Sequence, residues 1–242
     1  MKHLLINGCS YATVWHDTKQ DKELASLLNA DTISNLGKSG SSNSRIFHST
    51  MEFISKNPTV DFVILSLTFC TRFDAPWADT ADRYDGYWIN YSPGGIFESE
   101  LPRMKNKNSA EMDKLNKYVQ DRVVLDNGSE YTDRHLGEII KFSAWLDSKN
   151  IKYCMFNAAE DIIKQSISAN QLNPEKLRWI TENKKIIDIE NFISNQWMYD
   201  NGAKMNKQEI DNKVEPRWAH YGKDGYALLN NFLYNYINEN CL

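Results

Sequence analysis

The 242-residue sequence predicts one α/β domain built on a doubly wound, mostly parallel sheet. Short apolar segments typical of buried strands alternate along the chain with segments whose apolar residues recur at helical spacing. Asp61–Thr68 (DFVILSLT) is almost continuously apolar, as central parallel strands tend to be. No repeat or linker divides the chain, so we expect a single domain over residues 1–242. The simplest topology has five strands in the flavodoxin-like order 2-1-3-4-5, with helices on both faces.

Predicted helices connect the first four strands in succession, as the crossovers of a parallel sheet require. The strands are predicted at His3–Ile6, Thr32–Leu36, Asp61–Thr68, Ile151–Phe156 and Lys185–Ile189. The helices are predicted at residues 18–30, Arg45–Lys56, Asp133–Lys149 and Lys223–Asn238. Residues 76–132 carry neither pattern and are interpreted as an insertion after the third strand.

This insertion is rich in aromatic residues. Because it leaves the sheet at the end of the third strand, we expect it to lie over the carboxyl edge as a lid or substrate wall. Trp77 and Trp88 are its candidate substrate-binding residues, since aromatic faces suit a polar ligand that has an apolar side. Alternatively, these aromatic residues form a small core of the insertion or a contact between subunits.

Charge and cysteine usage restrict the class of protein. A formal charge of −4 and a pI near 5.8 argue against a broad surface for nucleic acid or anionic membranes, so we expect neither as a partner. No apolar run reaches the length of a signal peptide or a membrane span, and we expect a reduced, cytoplasmic protein. The four cysteines, Cys9, Cys70, Cys154 and Cys241, form no Cys-x-x-Cys pair, which argues against a metal site formed by thiolates. The first three lie in or beside apolar segments, which predicts buried apolar roles for them.

The residues directly after the first two strands are the first functional candidates. Ser10 follows the Gly-bearing end of strand one, where its hydroxyl and its own N–H group can face the same space, as a nucleophile with a built-in oxyanion donor requires. A helix cap or turn residue is the alternative for Ser10. After strand two, Gly40 lies among small residues and can offer a second backbone N–H, although a simple turn fits equally well. A phosphate-binding loop is the other alternative, but its Gly-x-x-x-x-Gly-Lys-Ser/Thr order is absent.

Two further positions carry polar groups towards the same edge. After strand three, Thr68 can supply a hydroxyl, and Arg72 can bind an anionic group unless it pairs with an acid such as Asp74. His220 lies in a Pro- and Gly-bearing loop before the last helix, where a neutral imidazole can act as general base for a hydroxyl. Alternatively, His220 is structural or solvated.

Together these segments resemble the SGNH (GDSL-like) hydrolase family in short blocks along the chain. Residues 6–10 are similar to its first block, with Cys9 in place of the usual Asp, and residues 35–43 to its second, in which Gly40 is the glycine. Residues 220–226 are similar to its last block. The resemblance implies that Ser10 is the nucleophile, His220 its base, and the N–H groups of Ser10 and Gly40 the oxyanion donors. Asn43, which closes the second block, is assigned to substrate binding.

The chain departs from the family pattern at two places. Thr68 stands where the third block carries an Asn whose side chain completes the oxyanion hole, and loss of such a donor typically costs about 10²–10³ in rate. Arg217 stands where the family has an acid, three residues before the His. Glu215 is the candidate that replaces this acid, so we expect a Ser–His dyad or a weak triad.

These residues predict a serine esterase or acyl hydrolase, with an O-acetylated carbohydrate as one candidate substrate and no metal or organic cofactor. Transfer of the acyl group to an acceptor other than water is an equally compatible reaction. The alternative from another class is a non-catalytic glycan- or protein-binding protein on the same scaffold, which the two departures favour.

Overall fold

The computed structural model describes residues 1–70, 72–76, 88–92, 95–96, 113, 117, 128–158, 172–189 and 191–242. The strands of the main sheet are β1 (His3–Gly8), β2 (Thr32–Asn35), β3 (Phe62–Leu67) and β7 (Lys152–Asn157). The helices are α1 (Ser10–Asp17), α2 (Gln20–Leu27), α3 (Asn43–Lys56), α4 (Gly128–Ser148), α5 (Pro174–Glu182), α6 (Ser194–Asp200), α7 (Lys207–Asp211) and α8 (Lys223–Asn240). A short 3₁₀ helix covers Pro216–Trp218.

The main sheet has the order β2-β1-β3-β7, and all of its pairings are parallel. This confirms the predicted fold class. β2 lies on one side of β1 and β3 on the other, so the order in which strands are added to the sheet changes direction at β1. The carboxyl ends of β1, β2 and β3 therefore meet at one edge, where α/β proteins bind ligands. All residues of β1 and β3 are buried, which explains their nearly continuous apolar sequences.

Helices cover both faces of the sheet, because alternate residues of each strand point to opposite sides. On one face, Leu4, Ile6 and Ile64 pack with residues of α1, α2, α6 and α8. On the other face, Leu5 and Val63 pack with residues of α3, α4 and α5. Each face thus has its own apolar core, and the sheet separates the two.

The predicted fifth strand is not formed within the described residues. Residues 185–187 lie beside β7 through one parallel bridge between Met155 and Ile186, held by two backbone hydrogen bonds. A second isolated bridge joins Asn157 and Ile193. The pairing stops between them because the chain turns at Asp188, whose carbonyl accepts from the N–H groups of residues 191 and 192. The apolar residues of this segment are nevertheless buried, as a strand at this position would be.

Helix α1 is the main element that the sequence analysis did not predict. Its sequence, SYATVWHD, carries β-branched and aromatic residues of modest helix propensity, and Cys9 at its N-cap makes no side-chain capping hydrogen bond. Tertiary packing stabilises the helix despite this modest propensity, because Ala12 and Trp15 are buried in the core beside β1. Ser10 is therefore the first residue of a helix and not its cap.

Part of the predicted insertion is described. The strands β4 (Phe73–Pro76), β5 (Trp88–Ser92) and β6 (Gly95–Ile96) form a small antiparallel sheet in that order. β4 lies against α3, and α4 begins at Gly128, before the predicted end of the insertion. The proposed role of residues 76–132 as a lid stays a prediction, since most of them lie outside the described residues.

Within the described part of the chain, no helix is long and apolar enough to cross a membrane. All four cysteines are buried and free of disulfide bonds, which confirms the prediction of burial for Cys9, Cys70 and Cys154. The same described residues contain no group of three or more potential metal ligands.

Candidate active site

Ser10 stands at the point where β1 turns sharply into α1. A Cβ on Gly8 would lie 2.9 Å from the Cβ atoms of Ala12 and Ser66, so only glycine permits this close approach of helix to sheet. Asn7 fixes the end of the strand from the other side, because its buried amide nitrogen lies within 2.9–3.0 Å of the carbonyl of Ile46 and of two hydroxyls of α3. Both contacts hold Ser10 at the carboxyl edge of the sheet.

His220 lies in the loop between the 3₁₀ helix and α8. Backbone contacts fix this loop, because Asn195 donates through Nδ2 to the carbonyl of Ala219 and the hydroxyl of Tyr221 donates to Pro216. A Cβ on Gly225 would lie 2.6 Å from the Cβ of Tyr221, so the first turn of α8 packs closely on the loop only because it has glycine there. The loop therefore has a defined position relative to α1.

The two residues lie within hydrogen-bond distance of each other. Ser10 Oγ and His220 Nε2 are 3.1 Å apart, which brings together residues 210 positions apart in the chain. The side chain of His220 is 38% exposed, and Ser10 is partly exposed, so a substrate can reach both. This is the nucleophile–base distance that acyl transfer requires.

Glu209, which the sequence analysis missed, holds the other side of the imidazole. Its Oε1 accepts from the backbone N–H of His220 at 2.9 Å and lies 3.2 Å from His220 Nδ1. With Nδ1 donating to this carboxylate, the lone pair of Nε2 faces the hydroxyl of Ser10. Ser10, His220 and Glu209 thus form a continuous hydroxyl–imidazole–carboxylate chain.

Glu215, the acid predicted to orient His220, lies elsewhere. Its Oε2 accepts from Nε of Arg217 at 2.8 Å, and both side chains are largely exposed. Arg217 in turn lies over the ring of Trp218. Residues close in sequence to His220 therefore pair with each other, while the acid that contacts it comes from α7, eleven positions away.

The sequence around Glu209 does carry a recognisable pattern, but that pattern predicts the start of a helix and not a catalytic acid. Asn206 caps α7 by accepting from the backbone N–H of Glu209, the usual arrangement when Asn is followed three residues later by Glu. In a complete capping box the Glu side chain returns to the cap residue. Here Oε1 bonds His220 instead, which only the tertiary fold reveals.

Two backbone N–H groups at this edge belong to the residues predicted as oxyanion donors, Ser10 and Gly40. Ser10 opens α1, and the first N–H groups of a helix have no intrahelical acceptor and attract negative charge. Gly40 has a φ of 81°, in the left-handed region that favours glycine, within the turn closed by Ser41 N–H and the carbonyl of Lys38. The loop stays near α1, since Lys38 donates its N–H to the carbonyl of Gly8.

Thr68 and Asn43 form one buried unit. Asn43 accepts from the backbone N–H of Thr68 and donates to its carbonyl, each at 2.8 Å. Its amide nitrogen also lies 3.2 Å from Nε2 of His135, and burial, followed by the charge of Arg134, lowers the pKa of His135 to about 3. Asn43, predicted to bind substrate, is 3% exposed, and its amide is engaged within the protein. Of Thr68, only the hydroxyl proton is left to act as a donor.

Arg72 lies beside this unit. Its Nη1 donates to the hydroxyl of Thr68 at 3.1 Å, and its guanidinium covers the ring of Phe69. The Thr68 oxygen therefore acts as an acceptor for Arg72. Trp77 and the side chain of Trp88 lie outside the described residues.

A cavity of about 510 Å³ lies between the loop after β2 and α3. The loop residues Gly37 and Lys38 line it, and Lys38 also donates its N–H to Gly8 at the end of β1. The described residues that line this cavity are Asn35, Leu36, Gly37, Lys38, Ser41, Arg45, Ser49 and Phe53.

No protein-family model matches the chain, and no curated protein matches it. Solved structures with a similar backbone include a GDSL-like lipase from Bacteroides thetaiotaomicron, with 11% identity and a TM-score of 0.48 over 98% of this chain and 88% of the lipase chain. They also include the psychrotrophic esterase EstA from Pseudoalteromonas sp., with 9% identity and a TM-score of 0.48 over 99% of this chain and 98% of the esterase chain.

Proposed function

We propose that this protein is a serine esterase or acyl hydrolase in which Ser10, His220 and Glu209 form the catalytic triad. The observation that carries the proposal is the chain of contacts from Ser10 Oγ through the imidazole to Glu209, with distances of 3.1 and 3.2 Å. A binding protein needs no such alignment of a partly exposed hydroxyl, an imidazole and a largely buried carboxylate. The geometry therefore favours the enzyme over the non-catalytic alternative.

The reaction proceeds in two displacements. Ser10 Oγ bonds to the ester carbonyl carbon while its proton passes to His220 Nε2, and the carbonyl π pair moves onto the oxygen. We assign stabilisation of this oxyanion to the backbone N–H groups of Ser10 and Gly40. Thr68, also predicted as a donor, is 1% exposed, so its hydroxyl does not add a donor to an open site. Collapse of the intermediate breaks the C–O bond of the ester, and His220 returns the proton to the leaving alkoxide, which departs as an alcohol.

Water then attacks the acyl-enzyme and gives its proton to Nε2. Collapse of the second intermediate releases the carboxylic acid and returns the proton to Ser10. Glu209 stabilises the imidazolium in both displacements and keeps Nε2 facing the hydroxyl. An O-acetylated carbohydrate is the substrate that we favour, and an alcohol in place of water would give acyl transfer by the same steps.

A fluorophosphonate probe and short p-nitrophenyl esters test the assignment. We expect wild type and Ser55→Ala, an exposed serine on α3, to be labelled and active, and Ser10→Ala to be neither. His220→Ala should lose roughly 10³-fold or more in kcat. Labelling that persists in Ser10→Ala would exclude this nucleophile. A folded wild type that never reacts but binds glycans would establish the binding alternative.

A further inference from the structure

Tyr11, the residue after Ser10, covers one face of the imidazole of His220. The ring centroids are 4.9 Å apart and the planes are inclined by 23°, so the two rings are stacked. Tyr11 is 5% exposed, and its hydroxyl lies 3.4 Å from the carbonyl of Trp218, to which it donates. The buried Tyr226 donates to the backbone carbonyl of Tyr11 at 2.7 Å. The backbone of Tyr11 is thus bound to α8, and its phenol is bound to the residue that precedes the His220 loop.

We propose that Tyr11 is a positioning residue for His220, whose ring face fixes the imidazole plane and stabilises the imidazolium formed when Ser10 loses its proton. The inference rests on the proposed function of Ser10 and His220 and adds a third contact to it. Glu209 holds the edge of the imidazole at Nδ1, whereas Tyr11 restricts rotation by covering a face that the carboxylate does not reach.

The physical basis is the charge distribution of an aromatic ring. Its face carries negative potential, so a stacked cation is stabilised more than a stacked neutral ring, and most strongly where water is excluded. The imidazole is neutral before the reaction and positive in the transition state. A contact that strengthens only when the charge develops lowers the barrier without tightening substrate binding.

Tyr11 acts on His220 through its ring face, because its phenol carries no charge and the other described neighbours of the imidazole contact only its nitrogens. Burial, with smaller effects of Cys9, Glu209 and Tyr221, raises the pKa of Tyr11 well above its usual value, so the phenol is neutral. Arg72 acts on it in the opposite direction. Ser10 and Glu209 contact His220 at its two nitrogens, and neither replaces a stacked ring.

The test compares Tyr11→Phe, which keeps the ring, with Tyr11→Leu, which removes it. With p-nitrophenyl acetate as substrate, we expect Tyr11→Leu to lower kcat roughly 3- to 30-fold with little change in KM, and Tyr11→Phe to stay near wild type. In NMR titrations, the midpoint of the protonation of His220 should fall by about 0.5 to 1.5 pH units in Tyr11→Leu only, the same factor expressed in pH.

Equal loss of kcat in both variants, or an unchanged His220 midpoint in Tyr11→Leu, would overturn the proposal. Tyr11→Met, which is flexible and apolar, repeats the comparison if Tyr11→Leu does not fold. The NMR titration needs no turnover. Wild type that fails to cleave esters would therefore refute the proposed function, while the titration would still decide whether Tyr11 stabilises charged His220.

Discussion

At the scale of single residues, the two oxygens of Glu209 have different surroundings. Oε1 accepts from two N–H groups of His220, whereas Oε2 is buried and has no hydrogen-bond partner among the described residues. The hydrogen bonds of this carboxylate all come from His220, so its negative charge lies next to the imidazole that becomes positive during the reaction. The buried position of Glu209 also gives its charge more effect than the exposed Glu215 would have had.

We therefore expect Glu209→Gln to lower kcat/KM for p-nitrophenyl acetate by roughly 10- to 10³-fold, because glutamine keeps the acceptor but removes the charge that stabilises the imidazolium. Glu215→Gln is the matched control and should remain within about twofold, since its partner Arg217 lies at the surface. Equal effects of the two substitutions would remove Glu209 from the triad.

At the scale of elements, the approach of the loop after β2 to α1 depends on Gly37. A Cβ on this residue would lie 2.6 Å from the Cβ of Ala12 and 2.7 to 2.8 Å from backbone atoms of α1, which cannot move aside as a side chain can. Gly40 belongs to the same loop, so the spacing between its N–H group and Ser10 depends on this contact.

Gly37→Ala should lower the free energy of unfolding by about 1–3 kcal/mol, because the added methyl forces the loop away from α1. Gly137→Ala is the opposite case, since its Cβ would meet only the end of the Lys176 side chain at 3.5 Å. In the interior of α4 it should raise the free energy of unfolding by about 0.5–1 kcal/mol. Urea denaturation of both variants measures the difference, and destabilisation by both would contradict the steric explanation.

At the scale of the whole molecule, a buried polar network connects elements that are distant in sequence. His135 of α4 lies beside Asn43 of α3, and Asn43 bonds the backbone of Thr68 after β3. His135 is buried and neutral. Because its pKa is lowered, His135 stays unprotonated in the folded protein at pH values where it is protonated in the unfolded chain. The network therefore couples the stability of the fold to pH.

Between pH 6.5 and about 3 the unfolded state binds a proton at His135 that the folded state does not, so stability falls as the pH falls through this window. One such group contributes up to about 1.4 kcal/mol per pH unit. We expect His135→Gln to flatten the pH dependence of unfolding between pH 4 and 6.5 relative to wild type. His48→Gln, which removes a largely exposed histidine of α3, is the control, and the difference between the two variants isolates the buried imidazole. Parallel curves for wild type and His135→Gln would contradict the prediction.

Local sequence predicted most of the fold because its signals are strong where a segment is buried. β1 and β3 have apolar runs because they are buried on both faces. α4 and α8 have apolar residues at helical spacing because each buries one face. The signal was weak at α1, where packing of Ala12 and Trp15 outweighs propensity. It also failed for residues 185–189, because pairing along an edge depends on where the chain turns and not only on which residues are apolar.

The sequence by itself determined the α/β class and the candidate positions of Ser10, Gly40 and His220, because each follows or precedes an element whose periodicity can be recognised. Only the tertiary structure decided that Glu209, and not Glu215, contacts His220, and that Asn43 supports Thr68 within the protein. The physical reason is that these contacts join residues far apart in the chain. Their partners are selected by the packing of separate elements, for which spacing along the sequence carries no signal.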